Sequence, residues 1–548
     1  MKKLDDALLA WSQILGPEHV TTARDKIAPS EQATFRCQRR IPAIISPGST
    51  AEVRRCVQIA GEWGIPLYPV SRGRNWGLGS KLPAADDCVL LDLSRMNRII
   101  AHDEQLSHLT VEPGVTFAQA AQYLRERNSS HYLSVIGGPP DGSLVGNAVE
   151  RGDGVGRYGD HWSHVCGLEV VLPTGECLNT GFARFPEAAA APLHRYGVGP
   201  FLDGLFSQSN PGIVTRATFW LARKPPEFQS LLFTIADDEQ ILAVVERAKE
   251  LMAMGVVQPN SLAIWNAYKF ATTDHQFPWE LTGGKKPLRP EQLAAMKTPW
   301  RGAKWIGMAG LYSASAAHAR ADRRLVKQML RPLVKRLLFV DRTRARLATL
   351  LRTPLKWFGV DVDSILRVLF SEPIFLGYPT EKSIGGCYWR KRGPVPDDPN
   401  PDRDRCGVPW LCPAVPFTRE HISRSVKLCT EICFRHGFEP HLAMTFPSER
   451  SVYVLPSLLY DRDNAADDEA AMHCHDDLFG TLLKAGYYPH RPGVQSMGLL
   501  PPSRDDSAAV WRRLKHALDP VGILAPGRYE REVAGVPKPA DKATPAMT

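Results

Sequence analysis

The residues best suited to chemistry lie in two glycine-rich segments and in one histidine–arginine pair near the C-terminus. The first segment, PVSRGRNWGLGSKLP, spans residues 69–83 and follows the apolar run Ile65–Tyr68. Its glycines let several backbone N–H groups point in one direction, and its arginines add positive charge, which together suit a pyrophosphate. The residues predicted to bind it are Arg72, Gly73, Arg74, Asn75 and Gly77.

The spacing of these glycines excludes two common phosphate-binding motifs. It is not the GxGxxG of a Rossmann fold, and it lacks the Gly-Lys-Ser/Thr ending of a Walker loop. A single loop of this kind is usually only structural. A second glycine-rich segment, residues 137–159, lies in the same region of the chain. Two such segments favour a large dinucleotide as the ligand.

The elements that must position these segments alternate between strands and helices. The pattern predicts strands at 65–70 and 88–92 and a helix capped at Ser49 or Thr50. Thr116 is the predicted cap of another helix, and LEVVLPTGECL predicts a hairpin. We also predict a polar helical leader over residues 1–40, strands within 451–460, and helices over 465–485 and 507–518. This alternation indicates an α/β or α+β fold.

Length and composition narrow the class of protein. A chain of 548 residues is too long for one compact core, so two or more domains are expected, with a boundary at Lys224-Pro-Pro. The net charge of +9 suits anionic ligands and is weak evidence for nucleic acid, which we do not expect as a partner. The eleven cysteines form no framework and no CxxC pattern, which favours reduced thiols, a cytoplasmic location and no metal site. No apolar run long enough for a transmembrane span and no signal peptide are apparent.

Four segments, in order and spacing, resemble the vanillyl-alcohol oxidase and p-cresol methylhydroxylase family of flavoproteins. They are PVSRGRNWGLG, GSLVGNAVERGDGVGRYGDHWSHVCGLEVVLPTGE, GIVTRATFWL and DPVGILAPGR, and the resemblance covers roughly residues 40–530. It implies an α+β fold, with an FAD-binding domain of two subdomains and an α+β cap domain over the flavin. The implied divisions are an FAD-binding domain at 1–225, a cap at 226–488, a C-terminal return at 489–530 and a disordered tail at 531–548. Further FAD contacts implied by the resemblance are Gly142, Ser143, Gly146, Asn147, Glu150, Gly152, Gly154, Ile213, Val214 and Arg528.

The chain departs from this family where a phenol would bind. The resemblance implies a phenolate held by two tyrosines and an arginine, but Leu78 and His490 stand at the tyrosine positions and only Arg491 remains. Each tyrosine hydrogen bond to a charged oxygen contributes about 1.5–3 kcal/mol. Leucine donates none, whereas His490 can donate a hydrogen bond or accept a proton, unless it is only a packing residue. We predict His490 and Arg491 as catalytic residues. The predicted cavity lining is Leu78, Tyr487, Tyr488 and Trp410.

Two further departures concern the flavin. Aligned on Pro413, the family's covalent attachment position reads Val408, which has no nucleophile, so we expect dissociable FAD. Gly138 takes the position of an acid that lies near flavin N5 in some relatives. Asp141 is the nearest carboxylate and our third predicted catalytic residue, although an Asp in Pro-Pro-Asp-Gly commonly serves only to form a turn.

A basic stretch, residues 319–357, combines arginine and lysine with apolar residues at helical spacing. Three interpretations remain open: a solvated cap helix, a peripheral membrane contact, and a docking face for a separate c-type cytochrome. The family includes oxidases that use oxygen and dehydrogenases that pass electrons to a cytochrome subunit. We also expect a homo-oligomer.

The predicted function is transfer of a hydride from a benzylic or carbinol carbon of a small aromatic, 4-alkylphenol-like substrate to flavin N5. One alternative keeps the fold and changes the donor to a non-phenolic alcohol, amine or hydroxy acid, with Arg491 binding a carboxylate. A different kind of alternative is a flavin-bearing subunit whose cap docks a partner or a membrane.

Overall fold

The computed structural model describes residues 2–530 apart from 297, 299, 301 and 342–371. The helices are α1 (Lys2–Leu15), α2 (Arg24–Ile27), α3 (Thr50–Trp63), α4 (Phe117–Glu126), α5 (Leu144–Val149), α6 (Gln240–Ala253), α7 (Ala267–Ala271), α8 (Pro290–Ala295), α9 (Ala316–Leu330), α10 (Glu372–Phe375), α11 (Arg419–Arg435), α12 (Ala465–Lys484) and α13 (Ser507–Leu518). The strands are β1 (Val20–Thr21), β2 (Ile44–Ile45), β3 (Leu67–Val70), β4 (Val89–Asp92), β5 (Ile99–Asp103), β6 (His108–Val111), β7 (His131–Tyr132), β8 (Val165–Val171), β9 (Cys177–Asn179), β10 (Ile213–Trp220), β11 (Ala222–Arg223), β12 (Glu227–Ile235), β13 (Leu262–Asn266), β14 (Trp305–Ser313), β15 (Arg336–Val340), β16 (Cys406–Gly407), β17 (Ala414–Pro416), β18 (His441–Thr445), β19 (Ser451–Ser457) and β20 (Tyr460–Asp461).

The first sheet has the order β1-β2-β4-β3, and β4 runs parallel to both of its neighbours. Helices α1 and α3 pack on it and bury Trp11 and Val57 completely. The C-terminal part of the chain returns to this sheet, where the backbone of Leu67 donates to Ile523 O at 2.8 Å and accepts from Ala525 N at 2.8 Å. The loop that follows β3 is the first glycine-rich segment, so it begins at the carboxyl end of a buried parallel strand.

The second sheet has the order β5-β6-β10-β8-β9 and is antiparallel. The predicted hairpin is confirmed as β8 and β9, which pair from Glu169↔Asn179 to Val171↔Cys177. Helices α4 and α5 contribute to its hydrophobic core. The two sheets carry the two glycine-rich segments toward one another.

A seven-stranded antiparallel sheet follows, with the order β15-β12-β14-β13-β18-β19-β17. Its first strand, β12, begins directly after Pro226. Side chains alternate across β13, β18 and β19, because successive residues of a strand point to opposite faces. One face packs against α6, α9, α11 and α12 in the largest buried cluster. The other face is turned toward the two glycine-rich segments. The mixed α+β fold is confirmed, while the domain limits themselves remain a prediction.

Several local predictions can be compared with the structure. Ser49 caps α3 and Thr116 caps α4, each through its hydroxyl oxygen, and α12 and α13 lie where helices were predicted. The helical leader is wrong beyond α1, because Pro17 and Pro29 break the chain into short turns.

The described part of the basic stretch begins within α9, then turns after Leu330 and becomes β15, the edge strand paired with β12. Its remainder from 342 onward, like the predicted tail at 531–548, lies outside the described residues. Within the described ranges no helix is both long and apolar enough to cross a membrane.

Candidate functional site

The first glycine-rich segment forms an open loop whose backbone N–H groups are available to a ligand. Gly73, Gly77 and Gly79 adopt φ values of 64°, 81° and 132°, which favour glycine. Among the described residues, none accepts a hydrogen bond from the backbone N–H of Gly73, Arg74 or Asn75. Free N–H groups in a turn make a concave anion site, so the loop fits the phosphates predicted for it.

Gly77 also allows the loop to touch the cap. A Cβ placed there would lie 2.4 Å from the carbonyl oxygen of Val408 and 2.2 Å from Trp410 Cδ1. The contact is reinforced because Gly77 N donates to Thr34 Oγ1 at 2.7 Å and Trp410 N donates to Gly77 O at 3.2 Å. The loop and the segment 408–410 therefore form one wall of a common cavity.

The second segment forms the opposite wall around the short helix α5. Ser143 accepts from Gly146 N at 2.8 Å and donates to Pro113 O at 2.6 Å, which fixes the start of the helix. A Cβ on Gly152 would lie 2.3 Å from Asn147 Nδ2 and 2.7 Å from Arg491 Nη1, so a larger residue there would displace these side chains. Other predicted cofactor contacts line the same cavity, namely Gly142, Asn147, Glu150, Gly154, Ile213 and Val214.

A buried ion pair closes the cavity from the C-terminal side. Arg528 donates to Glu150 Oε1 and to Tyr68 Oη, and Tyr529 Oη donates to Glu150 Oε2 at 2.5 Å. Burial alone would raise the pKa of Glu150, but the positive charges of Arg528 and Arg491 hold it below its ordinary value. Arg528, predicted from the closing motif, is thus tied to the second glycine-rich segment.

The cavity has a volume of about 530 Å³ and joins the two glycine-rich segments to the cap sheet. Arg491 Nε is buried on its wall and has no hydrogen-bond partner among the described residues. An unpaired buried donor is costly, so an acceptor on a bound group would satisfy it. The free backbone N–H groups of the loop and this donor fit an FAD molecule bound in the cavity.

His490 stands where the cavity meets the cap. Its ring stacks on Tyr453 with centroids 3.8 Å apart and an interplanar angle of 6°. Its Nδ1 lies 2.9 Å from the carbonyl oxygen of Cys412, which can only accept, so Nδ1 carries the hydrogen. Burial lowers the pKa of His490 to about 4, and the ring is neutral at pH 7. Its Nε2 is therefore a hydrogen-bond acceptor on the cavity side.

Asp153 lies beside this acceptor and was missed as a candidate. Its Oδ2 is 3.8 Å from His490 Nε2, and burial, together with the charge of Asp160, raises its pKa to about 7. Arg491 opposes that rise and donates its Nη2 to Asn75 Oδ1 at 3.1 Å. The sequence signal is a carboxylate inside the run Gly152-Asp-Gly154, in which the family resemblance implies a role only for the glycines.

The cap side of the cavity is largely apolar. Alternate residues of three strands point into it: Ala263 and Trp265 from β13, Ala443 and Thr445 from β18, and Tyr453 and Leu455 from β19. Leu78, only 7% exposed, and Trp410 also line it. This composition suits a flat aromatic ring.

Three predicted residues lie elsewhere. Tyr487 is buried in the cap core, and its hydroxyl lies 3.0 Å from His421 Nδ1. Tyr488 is 50% exposed, and neither tyrosine is among the described residues that line the cavity, so that prediction is wrong. Asp141 does not line it either: its carboxylate accepts from Arg74 Nε at 2.6 Å. The two tyrosines miss the cavity because they lie in the turn after α12, which ends at Lys484. In that turn Tyr487 points into the cap core and Tyr488 points to solvent.

Comparison with known proteins agrees with this geometry. Residues 41–181 match the family model of an FAD binding domain. The chain is 44% identical over 528 residues to a 1'-carboxy-chondrochloren decarboxylase of Chondromyces crocatus, covering 96% of this chain and 97% of that protein. It is 27% identical over 537 residues to the 4-cresol dehydrogenase [hydroxylating] flavoprotein subunit of Pseudomonas putida, covering 96% and 95%.

Solved structures show the same fold. The crystal structure of p-cresol methylhydroxylase with substrate bound superposes with a TM-score of 0.86 at 25% identity, covering 96% of this chain and 97% of that one. A 4-ethylphenol oxidase from Gulosibacter chungangensis gives a TM-score of 0.85 at 24% identity. The chain therefore belongs to the p-cresol methylhydroxylase-type family of FAD-linked oxidoreductases, and it is an FAD-dependent enzyme.

Proposed function

We propose that this enzyme oxidises a small 4-alkylphenol-like donor at its benzylic carbon. The observation that carries the proposal is the acceptor nitrogen of His490, which faces an apolar cavity beside the fixed charge of Arg491. FAD, when bound, supplies the hydride acceptor. The chain's own residues would bind the ring, remove the phenolic proton and stabilise the charge that remains.

In this proposal, loss of the phenolic proton accompanies loss of the benzylic hydride. A phenol hydroxyl in the cavity donates to His490 Nε2, and the proton moves to that nitrogen as the benzylic hydride leaves. Arg491 stabilises the phenolate oxygen, and ionised Asp153 stabilises the imidazolium that forms. The oxidised donor is then a quinone methide, which water can attack.

The apolar walls fix the ring and exclude water from the reacting carbon. Leu78 and Trp410 lie on the glycine-loop side and Trp265 on the cap side. A flat ring between them would gain dispersion contact while losing little rotational freedom.

The FAD is proposed to be held without a covalent bond. Val408 lines the cavity, is 1% exposed and has an aliphatic side chain that cannot attack the flavin. The residues proposed to hold FAD instead are the loop at 72–77, the α5 segment and Arg528.

A second candidate reaction is oxidative decarboxylation, favoured by the 44% identity to a decarboxylase over nearly the whole of both chains. In it, a donor that carries a carboxylate on the carbon next to the benzylic one loses a hydride and carbon dioxide. The electron pair of the broken C–CO₂ bond becomes the second bond of a carbon–carbon double bond. His490 and Arg491 keep the same roles.

The test is the visible spectrum of the purified holoenzyme before and after anaerobic addition of 4-ethylphenol. Bleaching of the flavin band near about 450 nm is expected. A band that stays oxidised with every 4-alkylphenol tried would rule out the phenol oxidation. Release of carbon dioxide from a carboxylated 4-alkylphenol, in step with bleaching, would select the decarboxylation.

The electron acceptor is tested with the same reduced protein. We propose a separate cytochrome as one acceptor and oxygen as the other, since the family includes both. Reoxidation by air within seconds would favour oxygen. Slow reoxidation by air with fast reduction of ferricytochrome c would favour the cytochrome.

A further inference from the structure

A lysine from the cap reaches into the far end of the cavity. Lys269 lies in α7, whose start is fixed because Asn266 Oδ1 accepts from Lys269 N at 2.9 Å. Its Nζ is 3.5 Å from Ser457 Oγ and 5.4 Å from the centroid of the Trp410 ring. Lys269 lines the same cavity as His490 and Arg491.

Among the residues that the structure describes, the charge of this lysine has no carboxylate partner. No carboxylate of the described residues lies within 4 Å of its Nζ, which lies instead near the apolar ring of Trp410. Two other buried cations are paired with carboxylates: Arg390 with Glu439 and Arg528 with Glu150. Burial lowers the pKa of Lys269, as expected for an ammonium without a counter-charge. Such a group is stabilised by any ligand that brings an anion.

Lys269 and His490 mark opposite ends of one strand face. Tyr453, Leu455 and Ser457 lie on the same face of β19 because they alternate along the strand. His490 stacks on the first of them and Lys269 contacts the last. Four residues of strand separate these positions by about 13 Å. Between the two ends the cavity wall is apolar.

We infer that Lys269 binds the carboxylate of the donor, so that the substrate class is a 4-alkylphenol whose alkyl chain carries a carboxylate several atoms from the ring. The inference rests on the proposed oxidation at this cavity, with the phenol at His490. Lys269 then determines specificity, and it does not take part in the hydride transfer.

The test separates carboxylate recognition from oxidation by using a ligand that has no phenol. Binding of 6-phenylhexanoate and of its neutral amide, 6-phenylhexanamide, to the oxidised holoenzyme is measured by titration calorimetry. The wild-type protein is expected to prefer the carboxylate by about tenfold or more, the range for a hydrogen bond to a charged group. Equal affinity for the two ligands would overturn the inference without any variant.

Three variants complete the test. Lys269→Met should weaken the carboxylate by on the order of tenfold to a hundredfold and leave the amide within about threefold. Lys269→Arg keeps the charge and should retain the preference. Lys304→Met, a control that removes a surface lysine paired with Asp238, should change neither ligand.

The outcomes distinguish this inference from the proposed function. If Lys269→Met loses the carboxylate preference but no phenol bleaches the flavin, the oxidation fails and the carboxylate site stands. If phenols bleach the flavin but Lys269→Met keeps the full preference, the carboxylate site fails alone. If Lys269→Met changes only the flavin spectrum or the affinity for FAD, the lysine serves the cofactor and the inference is overturned.

Discussion

Replacing His490 by phenylalanine should remove the proposed proton acceptor and little else. The new ring can keep the stack on Tyr453, whose centroid lies 3.8 Å from that of the imidazole. The carbonyl of Cys412 loses the Nδ1 donor but keeps the backbone N–H of residue 490, which donates at 3.0 Å. The free energy of unfolding should therefore change by no more than about 1 kcal/mol.

The rate should change far more than the stability. A positioned general base typically accelerates proton transfer by about 10²–10⁴-fold, which corresponds to about 3–5 kcal/mol of activation free energy. The lower end is expected here, because Asp153 lies 3.8 Å from the lost nitrogen and could accept the proton through a water. The assay is anaerobic stopped-flow reduction of the flavin by 4-ethylphenol at pH 7.5.

Two observations would separate a lost base from a damaged site. A ring-fluorinated 4-alkylphenol that is already ionised at the assay pH should recover most of the rate in His490→Phe, because its proton is gone before it binds. The rate with 4-ethylphenol should rise with pH in the variant toward the ordinary phenol pKa of about 10. A variant that reduces at the wild-type rate within about threefold at pH 7.5 would refute the role assigned to His490.

Further predictions test the loop, the cap and the cofactor bond. Gly77→Ala should weaken FAD binding by about tenfold or more, because the new Cβ would lie 2.4 Å from the carbonyl oxygen of Val408. The affinity is measured by fluorescence titration of the apoprotein with FAD. Gly61→Ala is the matched control and should bind FAD normally, because no atom lies within 4 Å of its Cβ. Arg390→Met should lower the free energy of unfolding in urea by about 3–5 kcal/mol, since it leaves the carboxylate of Glu439 buried without its partner. Burial raises the pKa of Glu439, but Arg390 and His441 bring it down to about 2, so the wild-type advantage should shrink as the pH falls from about 4.5 toward 2. Acid precipitation should leave the FAD in the supernatant, and flavin retained in the pellet would contradict the dissociable cofactor inferred from Val408.

The parts of the molecule that sequence predicted well depend on local signals. Ser49 and Thr116 were recognisable caps because a helix start needs a side-chain acceptor there. The glycine loop was recognisable because positive φ values and close approach to Trp410 restrict its residues to glycine. The hairpin at residues 168–178 followed from a turn between two apolar runs.

The parts that sequence could not give depend on how distant strands are aligned. Lys269, Tyr453 and His490 are far apart in the chain, and only the pairing of β13, β18 and β19 brings the first two to one cavity wall. Tyr487 is close to His490 in the sequence, which predicted a place for it in the cavity lining. The turn after α12 instead places its side chain in the cap core. Nearness along the chain does not predict which side of a wall a residue faces.

Leu78 and His490, predicted to stand where the resemblance implies two tyrosines, would change what the proposed site can do to a phenol. Tyrosine hydroxyls donate hydrogen bonds and so lower the free energy of a phenolate that has already formed. Leu78 gives no such bond, and His490, with its Nδ1 hydrogen committed to Cys412, offers a lone pair instead. The lone pair of His490 Nε2 favours a neutral phenol in the bound state. It accepts the phenol's proton only as negative charge develops on the phenol oxygen. In the proposed reaction Arg491 then provides the compensating charge, so we expect ionisation to be coupled to hydride loss and not to precede it.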